Sequence, residues 1–165
     1  MAVKTIDSPQ KASIATGGPT GRVYHALDDK KRLTIPSEWR RAWGDPEFVY
    51  VYTDLKRDCL IMVPPAEMDK LRQKLDSESI LDSDALAVWS DFFDCTQQIV
   101  LDTAGRIRIN NELMSFAGIK GKVAMRGSLR NVEIWAAEKM PEQPEGQKLN
   151  VAAARAAMLK IMAMK

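Results

Sequence analysis

The chain has 165 residues, of which 45% are hydrophobic and 28% are charged. This length fits one domain of ordinary size or two very small ones, and the composition favours a packed core over a wholly disordered chain. No stretch reaches the ~18 uncharged apolar residues of a membrane span, and the polar N-terminus lacks the apolar segment of a secretory signal. Two cysteines and one histidine supply neither a disulfide framework nor a zinc site. We therefore expect a cytoplasmic protein without a metal or another cofactor.

The net charge of +2 conceals an uneven distribution along the chain. Residues 22–65 carry eight basic and seven acidic side chains, residues 66–98 carry three and eight, and residues 99–140 carry seven and four. Acidic residues are thus concentrated in the middle segment, and the flanking segments are mildly positive. Such a distribution permits an anionic partner but does not require one.

Two segments of the chain repeat each other at an ungapped offset of 74 residues. Leu27-Asp28 returns as Leu101-Asp102, and Arg32 returns as Arg106. Further matches are Leu33 with Ile107, Ile35 with Ile109, Glu38 with Glu112, Gly44 with Gly118, Val49 with Val123, Leu55 with Leu129 and Leu60 with Ile134. Two repeats are too few for a solenoid, so we predict one domain with pseudo-two-fold symmetry.

The first repeat predicts a strand that leads into an Asp-x-x-x-Arg motif. An alternating segment over 32–35 follows, with Leu33 and Ile35 on its buried face. Pro36 favours a short helix, which Gly44 ends. Two strands over 48–52 and 59–63 close the repeat, and helices over 66–75 and 83–93 form an insert.

The second repeat predicts the same order of elements. Its alternating segment covers 106–109, and Asn110 or Asn111 caps a helix that Gly118 ends. Strands follow over 122–126 and 132–135. The predicted class is α+β, with strands of both repeats in one small barrel.

The last segment, 148–165, is rich in alanine and methionine and favours a helix. Val151, Ala154, Met158 and Ile161 or Met162 form its apolar stripe, with Arg155 off it. We expect this helix to dock on its own barrel or on a neighbouring protomer. Binding of another partner through its methionines is an alternative.

The two motif segments resemble those of the MraZ family. They are Leu27-Asp-Asp-Lys-Lys-Arg-Leu-Thr-Ile-Pro36 and Leu101-Asp-Thr-Ala-Gly-Arg-Ile-Arg-Ile-Asn110. Cys59-Leu60 before two prolines, the helical insert, and Phe116-Ala-Gly-Ile119 before Val132-Glu-Ile-Trp135 add to the resemblance. The similarity covers roughly residues 22–140 and is specific because both halves occur in order.

The resemblance implies a double-split β-barrel made of two AbrB/MazE-like repeats. It divides the chain into a flexible N-terminal extension over 1–21, the domain over 22–140, and a linker with the terminal helix over 141–165. Within the domain, repeat one covers about 23–65, the insert 66–96 and repeat two about 97–138. The extension and the tail lie outside the similarity, so no function is carried over to them.

The function that the resemblance implies is sequence-specific regulation of transcription, expected as repression of the bacterial division and cell-wall gene cluster. The partners are then double-stranded promoter DNA with direct repeats and further protomers of a ring-shaped homo-oligomer. The protein is expected in the cytoplasm, associated with the nucleoid.

The candidate DNA-binding residues are the motif arginines and the lysines before the first of them. Arg32 and Arg106 suit bidentate hydrogen bonding to guanine, and Lys30 and Lys31 suit phosphate contacts. Asp28 and Asp102 are expected to accept backbone N–H groups or to brace the arginines. On the residues alone, the same pairs also fit ordinary surface salt bridges on hairpins.

The sequence departs from the family pattern at Lys31, where family members usually have glycine. Gly105 keeps that place in the second motif. A lysine with positive φ is strained by ~1 kcal/mol or more. Asn110 likewise replaces the proline that usually follows the second motif strand.

Other candidate residues have ordinary structural interpretations. His25 is expected to be packed or solvated, and Arg126 and Arg130 either contact phosphate or keep an edge strand soluble. The remaining sets are an acidic face at Asp82, Asp84, Asp91 and Asp94, and four tryptophans in the core at positions 39, 43, 89 and 135.

Three classes of function follow. A DNA-binding regulator is favoured by the doubled motif. A scaffold that recruits proteins through the acidic insert or the terminal helix is the alternative. An enzyme is disfavoured because the sequence shows no nucleophile–base pattern, phosphate-binding glycine loop or metal-ligand spacing.

Overall fold

A computed structural model describes residues 17–77, 83–141 and 150–164 of the chain. The N-terminal extension up to residue 16, Asp82 and the linker residues 142–149 lie outside this part, as does the side chain of Asp84. Among the described helices, none has the length and apolar character that would let it cross a membrane.

Each repeat folds into the predicted series of strand, short strand, short helix and two strands. The first comprises β1 (Thr20–Ala26), β2 (Leu33–Thr34), α1 (Ser37–Ala42), β3 (Phe48–Thr53) and β4 (Leu60–Val63). The second comprises β5 (Thr96–Val100), β6 (Arg106–Ile107), α4 (Asn111–Phe116), β7 (Lys122–Ser128) and β8 (Val132–Ala136). The insert helices are α2 (Pro65–Ser77) and α3 (Ser83–Asp94), and a 3₁₀ turn (Ala137–Lys139) and α5 (Val151–Ala163) follow the second repeat.

The short helices end and begin as the sequence predicts. The side chain of Asn110 caps α4 by accepting a hydrogen bond from the backbone N–H of Leu113 at 2.9 Å. Gly44 and Gly118, which follow α1 and α4, both have positive φ. The sequence therefore determines these boundaries locally.

The strands form one six-stranded antiparallel sheet and one two-stranded ribbon. The sheet order is β1-β7-β8-β4-β3-β5, and β2 pairs with β6 in the ribbon. The α+β class is confirmed. The described strands form an open sheet with β1 and β5 at its edges, rather than the closed hydrogen-bonded barrel that was expected.

The strand register carries the pseudo-two-fold symmetry of the repeats. Leu33 pairs with Ile107, its own counterpart 74 residues later. The offset changes in the last strand of each repeat: Tyr50 pairs with Val63, whereas Ala124 pairs with Trp135. The counterpart of β4 in β8 therefore lies at an offset of 72, since the turn of the first hairpin is two residues longer.

Apolar side chains cover both faces of the sheet. One cluster lies between the sheet, the ribbon, α1 and α4, and it includes Leu33, Ile35, Leu60, Ile107, Ile109 and Ile134. The other lies under the insert helices and includes Cys59, Ile61, Val63, Met68 and Trp135. The central strands β4 and β8 are buried along their whole length.

The prediction that the four tryptophans lie in the core is confirmed for two of them, and the other two are half-buried. Trp39 and Trp135 are buried in the core. Trp43 packs against the first cluster while half-buried, and Trp89 is half-buried on α3. Of the two docking surfaces predicted for α5, the chain's own barrel is not used, because every residue of α5 is exposed. Docking on a neighbouring protomer stays a prediction.

Leu60→Ala tests how much the central strand contributes to stability. Leu60 is 0% exposed, so we expect its truncation to lower the free energy of unfolding by ~2–5 kcal/mol. Leu86 on α3 is 42% exposed, and Leu86→Ala serves as the control with an expected loss below ~1 kcal/mol. Urea denaturation followed by circular dichroism measures both. Equal losses for the two variants would contradict this account of the core.

Candidate functional site

The two Asp-x-x-x-Arg turns adopt the same hydrogen-bonded conformation. The Oδ1 atom of Asp28 accepts hydrogen bonds from the backbone N–H groups of Lys30 at 2.9 Å and Arg32 at 2.8 Å. Asp102 Oδ1 accepts the equivalent bonds from Ala104 and Arg106, both at 2.9 Å. Short polar side chains favour such turns because they accept backbone N–H groups two residues onward.

Each aspartate also holds the arginine of its own motif. Arg32 Nε donates to Asp28 Oδ2, and Arg106 Nε donates to Asp102 Oδ2, both at 2.7 Å. Both roles considered for the aspartates, turn acceptor and arginine brace, therefore occur together. These hydrogen bonds, first among them the one from the backbone N–H of the motif arginine, lower the pKa of both carboxyls below their ordinary value.

The ribbon brings the two motifs together into one cluster of four charges. Arg32 Nη1 lies 3.8 Å from Asp102 Oδ2, and Arg106 Nη1 lies 3.8 Å from Asp28 Oδ2. The antiparallel pairing of β2 with β6 produces this arrangement because it relates the motifs by the pseudo-two-fold axis. The ion pairs of the salt-bridge interpretation are thus present, and they cross between the repeats.

Alternation along the ribbon separates apolar from polar side chains. Leu33, Ile35, Ile107 and Ile109 are buried beneath it. The opposite face carries Arg32, Thr34, Arg106 and Arg108. The side chains of Arg32 and Arg106 are 28% and 32% exposed, so both guanidinium groups remain accessible from solvent.

The two turns differ at the position where one has lysine and the other glycine. Lys31 has a φ of 57° and Gly105 a φ of 74°, so the lysine adopts a backbone conformation that glycine adopts without strain. A Cβ atom at Gly105 would collide with the guanidinium of Arg40, which donates from Nε to the Ile35 carbonyl at 3.2 Å. Lys31 instead lies beside Met114, the counterpart of Arg40, on an open groove.

The chain is similar to known proteins over most of its length. A family model of the antitoxin-like MraZ protein matches residues 92–161. The "Transcriptional regulator MraZ" of Clostridium acetobutylicum is 32% identical over 125 residues, which are 76% of this chain and 86% of that protein. The protein of the same name from Symbiobacterium thermophilum is 35% identical over 125 residues, which are 76% of this chain and 88% of that protein. The one from Alkaliphilus metalliredigens is 31% identical over 130 residues, which are 79% of this chain and 89% of that protein. The chain belongs to the MraZ family.

Membership of the MraZ family confirms the resemblance seen in the sequence. The family model begins before β5, covers the second repeat and continues through most of α5. The similarity therefore extends beyond residue 140, where the sequence analysis ended it. The matched region therefore includes the second motif, with Asp102, Gly105 and Arg106.

Of the other basic candidates in this MraZ-family chain, the lysines of the first turn are exposed. Lys30 and Lys31 lie beside the four-charge cluster, and Arg130 is exposed in the turn between β7 and β8. Arg108 was not a sequence candidate, although the alternation of segment 106–109 placed it on the same face as Arg106. Arg40, which packs on Gly105, was also missed.

The remaining candidates lie away from the ribbon. His25 is half-buried on the edge strand β1, opposite Val123. Asp91 and Asp94 are exposed on α3. No group of three or more potential metal ligands occurs among the residues that the structure describes.

Arg126 is fixed by a buried carboxylate that the sequence analysis did not predict. Glu133 is 5% exposed and accepts from Arg126 Nε at 2.9 Å, Arg57 Nη1 at 2.8 Å and Trp135 Nε1 at 3.0 Å. Arg57 in turn binds Asp54 at 3.0 Å. Since β7 lies between β1 and β8, Arg126 is not on an edge strand, and its charge is neutralised within the fold.

Burial and hydrogen bonding shift the pKa values of Glu133 and of nearby Cys59. Burial raises the pKa of Glu133, but hydrogen bonds from Arg126, Trp135 and Arg57 outweigh this and hold its pKa below the ordinary 4.5. Burial raises the pKa of the Cys59 thiol to about 11. Cys59 is therefore a protonated core residue at neutral pH.

Exchanging glycine and lysine between the turns tests the backbone strain. We expect Lys31→Gly to raise the free energy of unfolding by ~0.5–1 kcal/mol, because the strain of the β-carbon is relieved. Gly105→Ala should lower it by ~1–2 kcal/mol, since the new methyl group is strained and displaces Arg40. Lys30→Gly is the control, because Lys30 does not have positive φ; stabilisation there too would contradict the explanation. Urea denaturation measures all three.

Glu133→Gln tests the buried carboxylate through its pH dependence. The folded pKa of Glu133 lies below 4.5, so the carboxylate stabilises the fold fully above about pH 4.5, and this contribution is lost as pH falls through the lowered pKa. We expect the variant to be ~1–3 kcal/mol less stable at pH 7. The difference between the chains should shrink below pH 4.5 in urea titrations. A difference independent of pH would contradict this role.

Proposed function

We propose that this MraZ-family chain is a sequence-specific DNA-binding transcriptional regulator that contacts DNA through the β2–β6 ribbon. The observation that carries the proposal is the paired, braced arginines on one exposed ribbon face. The relatives' printed name, "Transcriptional regulator MraZ", supports the same class of function.

The chemistry of the braced arginines suits base recognition. Nε of each guanidinium donates to its own aspartate, which restricts the side chain to one orientation before DNA arrives. The Nη groups then offer the paired donors that match guanine O6 and N7 in the major groove. A two-stranded β-ribbon is narrow enough to enter that groove.

The positive charge that attracts DNA comes from residues around the cluster. Two arginines and two aspartates cancel each other, so the cluster has no net charge. Lys30, Lys31 and Arg108 are exposed beside it. We assign phosphate contacts to the lysines and add Arg108 as a further candidate for the DNA-facing surface.

In our proposal the two AbrB/MazE-like repeats share one open sheet and one ribbon, rather than a closed barrel. The ribbon packs its apolar face on the open sheet, and residues of both repeats share one core cluster. This packing anchors the ribbon while its charged face remains exposed. We therefore assign the rigid support to the sheet and DNA contact to the ribbon.

The regulator acts in our proposal as a ring-shaped homo-oligomer on tandem direct repeats. One protomer with two arginines would bind weakly at physiological salt, and linked sites raise avidity by ~10²–10⁴ when their spacing matches. A head-to-tail ring presents its ribbons in one direction and therefore suits direct repeats rather than palindromes. Repression of the division and cell-wall gene cluster, in the cytoplasm and at the nucleoid, completes the proposal, with no enzymatic step.

A scaffold function is the second candidate, and an apolar groove beside the acidic helix α3 favours it. Tyr52, Leu55, Leu71, Val88, Trp89 and Phe92 line this groove, whose volume is about 340 Å³. Salt separates the two candidates, because DNA binding through several cations weakens steeply as salt rises. Apolar docking does not weaken in this way.

Replacing both motif arginines tests DNA binding. We expect Arg32→Ala/Arg106→Ala to bind the DNA upstream of the protein's own gene at least tenfold more weakly, because each guanine contact contributes ~1–3 kcal/mol. A shift assay at two salt concentrations measures this. Arg72→Ala, which removes an exposed arginine on α2 that is not a candidate DNA contact, should bind as the wild type does.

The circular dichroism spectrum shows whether each variant is folded. Retained specific binding by the folded double variant would refute the arginine assignment. Absence of wild-type binding at low salt would refute the proposed function.

A further inference from the structure

The terminal helix α5 presents an apolar surface that the described structure leaves uncovered. Met158, Leu159, Ile161 and Met162 are 57%, 69%, 61% and 76% exposed. A helix of 13 residues is only marginally stable in water on its own. Packing of its apolar side against another surface would supply the missing stabilisation.

A second uncovered apolar surface is the α2–α3 groove, which is lined by Tyr52, Leu55, Leu71, Val88, Trp89 and Phe92. Leu55 is 91% exposed and Val88 is 69% exposed, while Trp89 stacks on Phe93 with ring centroids 5.9 Å apart. Aromatic and aliphatic side chains thus form an open channel at the side of α2 and α3. Channels of this kind accept the apolar face of an amphipathic helix.

Charge makes the two surfaces complementary. The α5 helix contains Arg155 and Lys160 and no acidic residue, whereas α3 contains three aspartates and no basic residue. Asp91 is exposed; it lies one helical turn from Val88 and next to Phe92 in the sequence, so it lies close to the groove that these two residues line. At 100° per residue, Arg155 lies on the same side of α5 as Met158 and Met162, rather than off the stripe as the sequence analysis placed it.

Chain geometry favours the helix of another molecule. Arg22 Nη1 donates to the Pro141 carbonyl at 2.7 Å, which holds the start of the connection at β1. From β1 to β3 the sheet spans four strand spacings, about 19 Å, and α2, packed on β3 and β4, adds a helix about 10 Å in diameter. The eight connecting residues 142–149 reach about 30 Å when fully extended, which is close to this span. Every residue of α5 is nevertheless exposed, so α5 does not cover the groove of its own chain.

We infer that α5 of one molecule docks in the α2–α3 groove of a second copy of this chain. Met158 and Met162 enter the channel between Val88, Trp89 and Leu71, and Arg155 faces Asp91. The interface rests on the homo-oligomer of the proposed function and names the surfaces that meet in it. DNA contact through the ribbon is not required for it.

Paired variants of the full chain test this interface by sedimentation velocity without DNA. Val88→Asp places a charge in the groove, and Met158→Asp places one on the apolar side of α5. We expect each variant alone to lose the associated species of the wild type and to sediment as a single chain. The matched controls, Leu86→Asp on the other side of α3 and Ala153→Asp on the other side of α5, should associate as the wild type does.

Mixing the two defective variants distinguishes docking between molecules from docking within one. The Val88→Asp chain retains an intact α5, and the Met158→Asp chain retains an intact groove. An equimolar mixture should therefore recover a species of two chains, whereas neither parent does. A mixture that stays monomeric, a variant that keeps the wild-type assembly, or a monomeric wild type would overturn the inference.

A shift assay on the same proteins separates this result from the proposed function. If the wild type assembles through the groove but does not bind DNA, the interface stands and the regulator proposal fails. If Arg32→Ala/Arg106→Ala assembles normally and Val88→Asp does not, the interface is supported independently of the ribbon. Circular dichroism confirms that each variant is folded.

Discussion

The pairing of β2 with β6 is the constraint on which the rest of the structure depends. It joins the two repeats through Leu33 and Ile107, and it places both Asp-x-x-x-Arg turns within 3.8 Å of each other. Burial of the apolar ribbon face anchors these turns to the sheet. Without this pairing, each motif would be an isolated surface hairpin, and its ion pair would contribute ~0–1 kcal/mol. Pairing turns two local motifs into one preorganised charged surface.

The two halves of that surface have diverged where their neighbours differ. Gly105 leaves space for Arg40 of the other repeat, which donates a hydrogen bond to the Ile35 carbonyl. The corresponding Lys31 lies beside Met114, so it gains an exposed cation at the cost of a strained backbone. The Gly105 turn therefore gains the packing of Arg40, and the Lys31 turn gains an exposed positive charge. A pseudo-symmetric ribbon with unequal halves can distinguish the direction of a DNA sequence, as our proposal for direct repeats requires.

Charge is divided between the interior and the surface according to the sheet order. Arg126 and Arg57 are neutralised by Glu133 and Asp54 in the central strands and the first hairpin turn, where these ion pairs stabilise the fold. The lysines of the first turn are exposed. Complementary charge recurs at a larger scale between the acidic α3 and the basic α5, which is where we place contact between molecules. Position in the fold, rather than residue type, decides which arginines face a partner.

The sequence by itself determined the elements, because alternation, prolines, capping asparagine and glycines act over a few residues. It also determined the repeat, and with it the recurrence of the Asp28–Arg32 spacing at Asp102 and Arg106, whereas the structure showed that each aspartate both closes its turn and holds its arginine. Only the tertiary structure decided that strands of both repeats form an open sheet, since hydrogen-bond pairing between distant strands leaves no local signal. For the same reason, the sequence does not show that Glu133 is buried, which follows from the position of β8 at the centre of the sheet, where it is covered on both faces. The exposure of α5 could likewise not be predicted from its sequence. An apolar stripe indicates that a helix can pack against an apolar surface, but it does not identify that surface.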